Sequence, residues 1–293
     1  MQPDGESARV LFVGRSTFDV LYRLNEWPEE DTKPYAQALH AAPGGPATNA
    51  ALTDALLGGE SVLISPLGRG AWAEQVRDAL EQYGVRHIDL AGKTAYETPL
   101  VTVLVNTARA TRTAINPPLT EAAFPALPTS WPVAWGGQPR VALTDGFHLD
   151  ATLGLLRALN AEGTALVLDG GSWKPGTAEL APLLTAAICS ERFAAPDTAR
   201  TAEATLAWFA AQGVPYVAVT RGPKPIVAME RGRRFEVEID AVDALDTLGA
   251  GDVLHGTFCH HFARSGHFES ALRAAATVAT RACTGLGIDA WLD

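Results

Sequence analysis

Short apolar runs recur along the chain and alternate with amphipathic stretches. Each run is nearly continuous in its apolar content, which is typical of strands that are covered on both faces. The runs predict strands at 10–13, 61–64, 141–143, 165–169, 186–189 and 216–220. The stretches between them predict helices at 47–57, 72–83, 151–161, 178–184, 201–212, 252–264 and 270–284. This alternation predicts an α/β domain with a mainly parallel sheet, whose ligands bind beyond the carboxyl ends of the strands.

Two segments interrupt this alternation. Residues 18–42 and 96–114 have alternating polar and apolar positions and no helical periodicity, most clearly at 100–105. We interpret them as a small β extension that rises from the α/β body and acts as a lid. The alternative is that they are two surface hairpins without a function. The chain as a whole, residues 1–293, is predicted to form a single domain.

The composition limits the classes of protein that fit this pattern. The 293 residues are 47% hydrophobic and 19% charged, which excludes wholesale disorder because such a chain can bury a substantial core. A net charge of −10 without a basic stripe argues against a nucleic-acid partner. The three cysteines are widely spaced and match neither a zinc site nor a disulfide framework. The acidic start and the lack of a long apolar run predict a cytoplasmic protein without membrane contact.

The strongest local signal lies at 246–252, where a Gly-rich turn leads directly into a predicted helix. Gly249 and Gly251 allow the backbone to approach a ligand closely, and the free N–H groups of the first helical turn favour an anion such as phosphate. Asp252 would repel that anion unless it serves as a base for an incoming hydroxyl group. An N-cap aspartate is the simpler alternative. Asp246 adds a second carboxylate that could hold a metal ion or its waters.

A second Gly-rich turn, at 43–46, opens another predicted helix. Gly44 and Gly45 bring backbone amides close to a bound molecule, and the side chain of Asn49 can both donate to and accept from sugar hydroxyls. Asp19 follows the first predicted strand, where a carboxylate can accept hydrogen bonds from hydroxyl groups. Each feature also has an ordinary structural explanation, as a tight helix start or as a turn aspartate.

Together, the stretches 44–50 (GGPATNA) and 246–252 (DTLGAGD) resemble the paired signatures of the PfkB/ribokinase family of carbohydrate kinases. The resemblance extends over essentially the whole chain and includes Asp19, the β-rich insertions and the stretch 219–222. It implies an α/β fold of the ribokinase-like type, a three-layer sandwich with a mainly parallel sheet and a small β lid. The stretches 169–174 and 189–193 are more weakly similar to the branch with ketohexokinase-like and sulfofructose kinase-like enzymes.

The resemblance also implies roles for individual residues. Asp252 would be the catalytic base, and the amides of Gly249, Ala250 and Gly251 would form the anion hole for the transferred phosphoryl group. The residues expected to hold the sugar are Asp19, Gly44, Gly45 and Asn49. The residues expected beside ATP are Thr220, Gly222, Lys224, Asp246, Thr247 and Gly285, with Asp246 also acting on Mg²⁺ through water. Arg112 on the lid either reaches an anionic substrate or is a solvated strand charge.

The implied activity is transfer of the γ-phosphate of ATP to a hydroxyl group of a small ketose or furanose-type sugar. A monovalent cation is a further expectation, and so is a homodimer through the lid, because open strand edges attract partners. Two alternatives stay open. One is a nucleoside kinase on the same fold, which a larger aromatic lining near the lid would favour. The other is a pseudokinase that senses a sugar without phosphoryl transfer.

The sequence departs from the family pattern at three places, one of which is the stretch 68–73, where a later glycine is missing. The Asn-x-x-Glu element that organises magnesium waters is replaced by the stretch 190–193 (SERF), which leaves the metal arrangement open. The loop 220–225 has proline where a second glycine is usual, which removes an N–H group; Lys224 would compensate as a point charge. Neither a Walker A motif nor a GxGxxG motif after the first strand is present, which argues against a P-loop enzyme and a dinucleotide-binding dehydrogenase.

Overall fold

A computed structural model describes residues 8–92, 94–109, 111–118, 122–245 and 247–285. The strands are β1 (Arg9–Val13), β2 (Thr17–Leu24), β3 (Ala38–Gly44), β4 (Glu60–Ser65), β5 (Arg86–Asp89), β6 (Leu100–Asn106), β7 (Thr111–Ile115), β8 (Val141–Thr144), β9 (Ala165–Gly170), β10 (Ala186–Ser190), β11 (Tyr216–Arg221), β12 (Lys224–Glu230) and β13 (Arg233–Val237). The helices are α1 (Pro46–Leu56), α2 (Ala71–Gln82), α3 (Leu149–Ala161), α4 (Thr177–Leu180), α5 (Ala202–Ala211), α6 (Ala250–Ser265) and α7 (Phe268–Ala282). Within these ranges, no helix is long and apolar enough to cross a membrane.

The large sheet has nine strands in the order β13-β12-β11-β10-β9-β8-β1-β4-β5. The seven strands from β11 to β5 are parallel, whereas β12 and β13 continue the sheet as antiparallel strands. The carboxyl ends of the parallel strands therefore meet at one edge of the sheet. This is the edge at which ligands bind in open α/β sheets.

Helices cover both faces of the large sheet. The central strand β1 shows the division, because Val10 and Phe12 face one hydrophobic core while Leu11 and Val13 face the other. The first core includes side chains of α1, α2, α6 and α7, and the second includes side chains of α3 and α5. Strands of a parallel sheet are buried on both faces, which explains the nearly continuous apolar runs. The fold is the predicted three-layer α/β sandwich.

The second sheet is the small one predicted from the two interrupting segments. Its four strands have the order β3-β2-β6-β7. Four buried side chains, Leu21, Val101, Val103 and Val105, form its own hydrophobic cluster, and Leu248 from the loop before α6 packs against them. The small sheet therefore contacts the Gly-rich loop at 247–249.

The structure differs from the predicted elements at two places. The helix predicted at 178–184 ends early, as α4 followed by the 3₁₀ turn Ala181–Leu183, because Pro182 lacks an N–H group and its ring disfavours a continuous α-helix. Strands β5, β12 and β13 were not among the predicted strands. β5 and β13 form the two edges of the sheet and are partly exposed, so that neither carries a continuous apolar run.

Candidate active site

The first turn of α6 lies at the end of the second Gly-rich loop. Gly249 has φ of 74° and ψ of −6°, the left-handed conformation that glycine adopts without steric cost, and α6 begins at Ala250. Around Gly251 there is open space, since a Cβ atom added there would have no heavy-atom neighbour within 4 Å. The N–H groups in the first turn of a helix lack intrahelical acceptors. The start of α6 therefore offers backbone donors and a positive dipole end to an anion.

Asp252 is in this first turn and contacts the start of α1. Its Oδ2 atom accepts a hydrogen bond of 2.7 Å from Nδ2 of Asn49. Asn49 is buried, and its Oδ1 atom has no hydrogen-bond partner among the described residues. The two Gly-rich turns that are about 200 residues apart in sequence therefore form one site. The unpaired amide oxygen leaves an acceptor for a ligand hydroxyl group.

The environment of Asp252 favours its protonated form more than water does. Burial of the carboxyl group, together with the nearby carboxylate of Asp169, raises the pKa of Asp252 to about 7. The hydrogen bond from Asn49 and the charge of His255 lower this pKa, and Asp19 raises it. A carboxyl group that titrates near neutral pH is suited to general-base catalysis, because it can take up a proton and release it again.

Asp19 faces the same site from the small sheet. It lies on β2, and its Oδ1 atom accepts a hydrogen bond of 2.6 Å from Oγ1 of Thr17. Burial raises the pKa of Asp19, and the contacts with Thr17 and Arg15 lower it. The carboxylate packs against Cα of Gly44, where a Cβ atom would overlap it. Glycine at position 44 is therefore needed to leave the carboxylate in place.

Gly45 and an aspartate that sequence analysis missed fix the start of α1. Gly45 has φ of 96°, and a Cβ atom there would overlap the carbonyl oxygen of Arg15. The missed residue is Asp145, directly after β8, whose carboxylate accepts backbone N–H groups of Arg15 at 2.8 Å, Phe147 at 3.0 Å and Ala47 at 3.3 Å. Burial raises the pKa of Asp145 to about 6, against the effect of these hydrogen bonds. Asp145 follows a predicted strand, as Asp19 does, and this position in the sequence could have identified it.

His255 connects the first turn of α6 to strand β10. Its ring places Nδ1 2.7 Å from the carbonyl oxygen of Gly251 and Nε2 3.1 Å from that of Ile188 on β10. Carbonyl oxygens only accept, so each contact is a hydrogen bond when the ring nitrogen carries the proton, and Oδ2 of Asp169 lies 3.5 Å from Nδ1. Sequence analysis gave neither residue a role. The contacts fix the first turn of α6 on strand β10.

The small sheet also contacts the Gly-rich loop through Arg112. Its guanidinium group donates a hydrogen bond to Oγ1 of Thr247, two residues before Gly249. This contact leaves both interpretations of Arg112 as predictions. The side chain is exposed on β7, but it is directed at the loop that precedes α6. Together with Leu248, it connects the small sheet to the loop that precedes the predicted anion hole.

The residues expected beside ATP are less closely grouped than those expected to hold the sugar. Thr220 lies opposite Ser190 at the carboxyl ends of β11 and β10. Gly222 has φ of 62° in the exposed turn between β11 and β12, and the side chain of Lys224 is exposed beyond it. Gly285 follows the end of α7, which is joined to the loop before α6 by the 2.8 Å hydrogen bond from Leu245 N to Cys283 O. Asp246, expected near the metal, lies outside the described residues.

The expected Mg²⁺ site can be compared with the carboxylates of the described residues. The described residues contain no group of three or more His, Cys, Asp or Glu side chains that could hold a metal ion. Within the replaced Asn-x-x-Glu element, Ser190 donates a hydrogen bond to the carbonyl oxygen of Gly171, and Glu191 is exposed. Mg²⁺ usually takes one or two carboxylates and completes its shell with phosphate oxygens and water.

Comparison with known proteins identifies the family. The model of the pfkB family carbohydrate kinases matches residues 7–290. The chain belongs to this family. A deoxyribokinase from Salmonella typhi is 37% identical to the pfkB-family chain over 76 residues, which are 26% of this chain and 25% of that protein. This sequence match thus spans about a quarter of the curated relative.

Solved structures share the fold of this pfkB-family chain. A microbiome-derived acarbose kinase, Mak1, has a TM-score of 0.80 at 21% identity and covers 96% of this chain and 94% of its own. Arabidopsis thaliana ribokinase, solved with ribose and ATP, has a TM-score of 0.74 at 20% identity, with coverages of 97% and 95%. These likenesses establish the ribokinase-like fold, and the family consists of kinases.

A pH profile of this pfkB-family chain tests the environment of Asp252. As the predicted base, Asp252 would act in its ionised form, so kcat/KM is expected to fall about tenfold per pH unit below a pKa near 7 and to be level above it. Replacing Asn49 by alanine removes a donor that stabilises the ionised form, and the acid limb should move to higher pH. A limb near pH 4 in both proteins, the ordinary range for aspartate, would contradict the described environment.

Proposed function

We propose that this chain is an ATP-dependent sugar kinase, a phosphotransferase that uses a hydroxyl group of a small ketose or furanose-type sugar as acceptor. The observation that carries the proposal is the pairing of Asp252 with Asn49 at the open first turn of α6. A base, an unpaired amide oxygen and a set of backbone donors occur there within one site. Phosphoryl transfer needs these three elements to position a hydroxyl group and to stabilise charge on the transferred group.

In the proposed reaction, Asp19 and Asn49 accept hydrogen bonds from sugar hydroxyls and orient the ring. The carboxylate of Asp252 takes the proton from the reacting hydroxyl as its oxygen bonds to the γ-phosphorus of ATP and the bond to the β-γ bridging oxygen breaks. The N–H groups at the start of α6 stabilise charge on the phosphoryl oxygens. Mg²⁺, when bound with ATP, offsets the charge of the phosphates.

The proposal assigns the small sheet the role of a lid. Arg112 and Leu248 connect it to the loop before α6, so the sheet covers the side of the site on which the sugar would bind. Such a cover excludes water, which would otherwise compete with the sugar for the phosphoryl group. The edge strands β3 and β7 are the surfaces through which a homodimer would form.

The test is ADP release with Mg-ATP across a panel of ketoses, pentoses, sugar acids and nucleosides. Release that depends on a sugar supports the proposal and names the substrate class. Sugar-induced thermal stabilisation without ADP release from any compound would favour the pseudokinase instead. Repeating the panel with and without potassium addresses the monovalent cation.

A nucleoside kinase remains the second candidate because of one observation. The cavity beside the small sheet has aromatic walls that include Trp72, Tyr96 and Phe147, the type of lining that favours this alternative. Nucleosides therefore belong in the panel. Preference for a nucleoside over its free sugar would decide for this candidate.

A further inference from the structure

A cavity of about 340 Å³ lies between the small sheet and the α/β body. Leu100 lines it and pairs with Phe18 on β2, the residue before Asp19, so the cavity adjoins the proposed sugar site. The size is in the range of small-molecule pockets. The side chains on which the inference depends are Arg15, Trp72, Tyr96, Phe147 and His148.

Arg15 is the cation of this cavity, and its backbone is held firmly. Its N–H group donates to Asp145 at 2.8 Å, and its carbonyl oxygen packs against Gly45. The guanidinium group donates to Oδ1 of Asn116 at 3.1 Å and lies 5.5 Å from the ring centroid of Phe147. Within the described part of the chain, no carboxylate forms an ion pair with Arg15. Among these residues, the guanidinium group of Arg15 thus contacts only a neutral amide and a ring face. Its other N–H groups form a planar fork that matches a carboxylate or phosphate.

The charge of Arg15 acts on groups from several elements around the cavity. Burial raises the pKa of Asp19 and of Tyr96 and lowers that of His148 to about 4, and in all three the charge of Arg15 adds a lowering effect. His148 is therefore neutral at pH 7. Its Nε2 atom is buried without a hydrogen-bond partner among the described residues.

Two of the rings that line the cavity are already engaged by neighbouring side chains. Trp72 stacks on Phe18 with centroids 5.0 Å apart, and Phe147 is covered by Arg15 and by Nζ of Lys174 at 4.5 Å. A nucleobase would need a free ring face on which to stack, whereas an oxyanion needs only the N–H donors of Arg15. The acidic lining residue, Glu97, is exposed. These contacts favour an anion over a planar base.

We propose that this cavity is a subsite for an oxyanion carried by the sugar, a carboxylate or phosphate group that Arg15 binds. The inference rests on the proposed function, because the sugar ring lies against Asp19 and Asn49 with its reacting hydroxyl at Asp252. The anionic substituent is then at the opposite end of the sugar from the transferred phosphoryl group. The substrate class is an acidic or phosphorylated sugar rather than a neutral one.

The test compares sugars that differ only in this substituent. D-fructose, D-fructuronate and D-fructose 6-phosphate form one series, and D-glucose, D-glucuronate and D-glucose 6-phosphate form another, with adenosine and thymidine alongside. Each compound is measured by kcat/KM for ADP release and, without ATP, by thermal stabilisation. The proteins are the wild type, Arg15→Gln, Arg15→Lys and the control Arg157→Gln, which removes an exposed arginine paired with Glu179 on the surface.

An anionic member of a series is expected to exceed its neutral member in both measurements. Arg15→Gln should reduce that selectivity ratio by about 10- to 100-fold, since a charged hydrogen-bonded contact is lost, whereas Arg157→Gln should preserve it. Arg15→Lys, which keeps the charge without the fork, should be intermediate. The carboxylate and phosphate arms distinguish the two sources of the anion.

A preference for neutral sugars or nucleosides would overturn the subsite. So would an equal loss for all members of a series in Arg15→Gln, as expected if Arg15 only balances nearby carboxylates. Thermal stabilisation by an acidic sugar that depends on Arg15, without ADP release, would support the subsite and contradict the kinase. ADP release without a preference for anionic sugars would support the kinase and contradict the subsite. No response to any acidic sugar would count against the subsite.

Discussion

Replacing Asp252 by asparagine is expected to lower kcat by about 10²- to 10⁴-fold, the usual contribution of a positioned general base. Asparagine has the same shape and its Oδ1 atom can still accept the 2.7 Å hydrogen bond from Asn49. It cannot take the proton of the hydroxyl group. The fold should be unaffected, because burial raises the pKa of Asp252 and the ionised carboxylate is unfavourable in the folded state at high pH. ADP release tests the expected loss of kcat, and the Tm tests whether the fold is unaffected; both are measured at pH 8.

The matched control is Asp78→Asn, which makes the same chemical change at an exposed position of α2. It should retain the kcat and Tm of the wild type. Sugar-induced thermal stabilisation should persist in Asp252→Asn, because the variant keeps the other contacts to the substrate. A kcat within a few-fold of the wild type in Asp252→Asn would contradict its role as the base.

Replacing Gly256 by alanine is expected to destabilise the protein and to separate the two halves of the site. A Cβ atom at this position would overlap the carbonyl oxygen of Ala50 and lie 2.7 Å from Cβ of Thr53, so α1 and α6 would have to move apart. Overpacking of this kind costs about 1–3 kcal/mol. The same movement lengthens the contact between Asn49 and Asp252, so kcat/KM should fall as well. Denaturant unfolding and steady-state kinetics measure the two effects.

Gly154 provides a control with the opposite expected sign. It lies in the interior of α3, where an added Cβ atom would make an ordinary contact, 3.4 Å from Cγ2 of Thr129. Gly154→Ala should therefore stabilise the protein by about 0.5–1 kcal/mol through the higher helix propensity of alanine. Equal effects of the two alanine substitutions would show that the approach of α1 to α6 is not as tight as described.

The α/β body and the two Gly-rich turns could be predicted because their signals are local. Strands buried on both faces carry continuous apolar runs, and a turn that opens a helix at a close backbone approach needs glycine, as Gly45 and Gly249 illustrate. The small sheet was recognisable from its alternating pattern. The edge strands β5 and β13 were not, since partly exposed strands lack a continuous apolar run.

The contacts that tune the site could not be predicted, because they join residues far apart in the chain. Asp145 binds the amides of Arg15 and Ala47 across more than 90 positions, and only the folded sheet places their strand ends together. His255 reads as one more position on an amphipathic helix, yet its ring contacts the carbonyl oxygen of Ile188. The contact between Arg112 and Thr247 likewise depends on how the small sheet lies on the loop.

The proposed reaction is transfer of the γ-phosphoryl group of ATP to a sugar. The most direct test is to measure ADP and phosphorylated sugar together in one reaction with the best substrate of the panel. One phosphorylated sugar is expected for each ADP, and both products should form about 10²- to 10⁴-fold more slowly in Asp252→Asn. ADP formed without phosphorylated sugar, or sugar binding without either product, would contradict the proposed reaction.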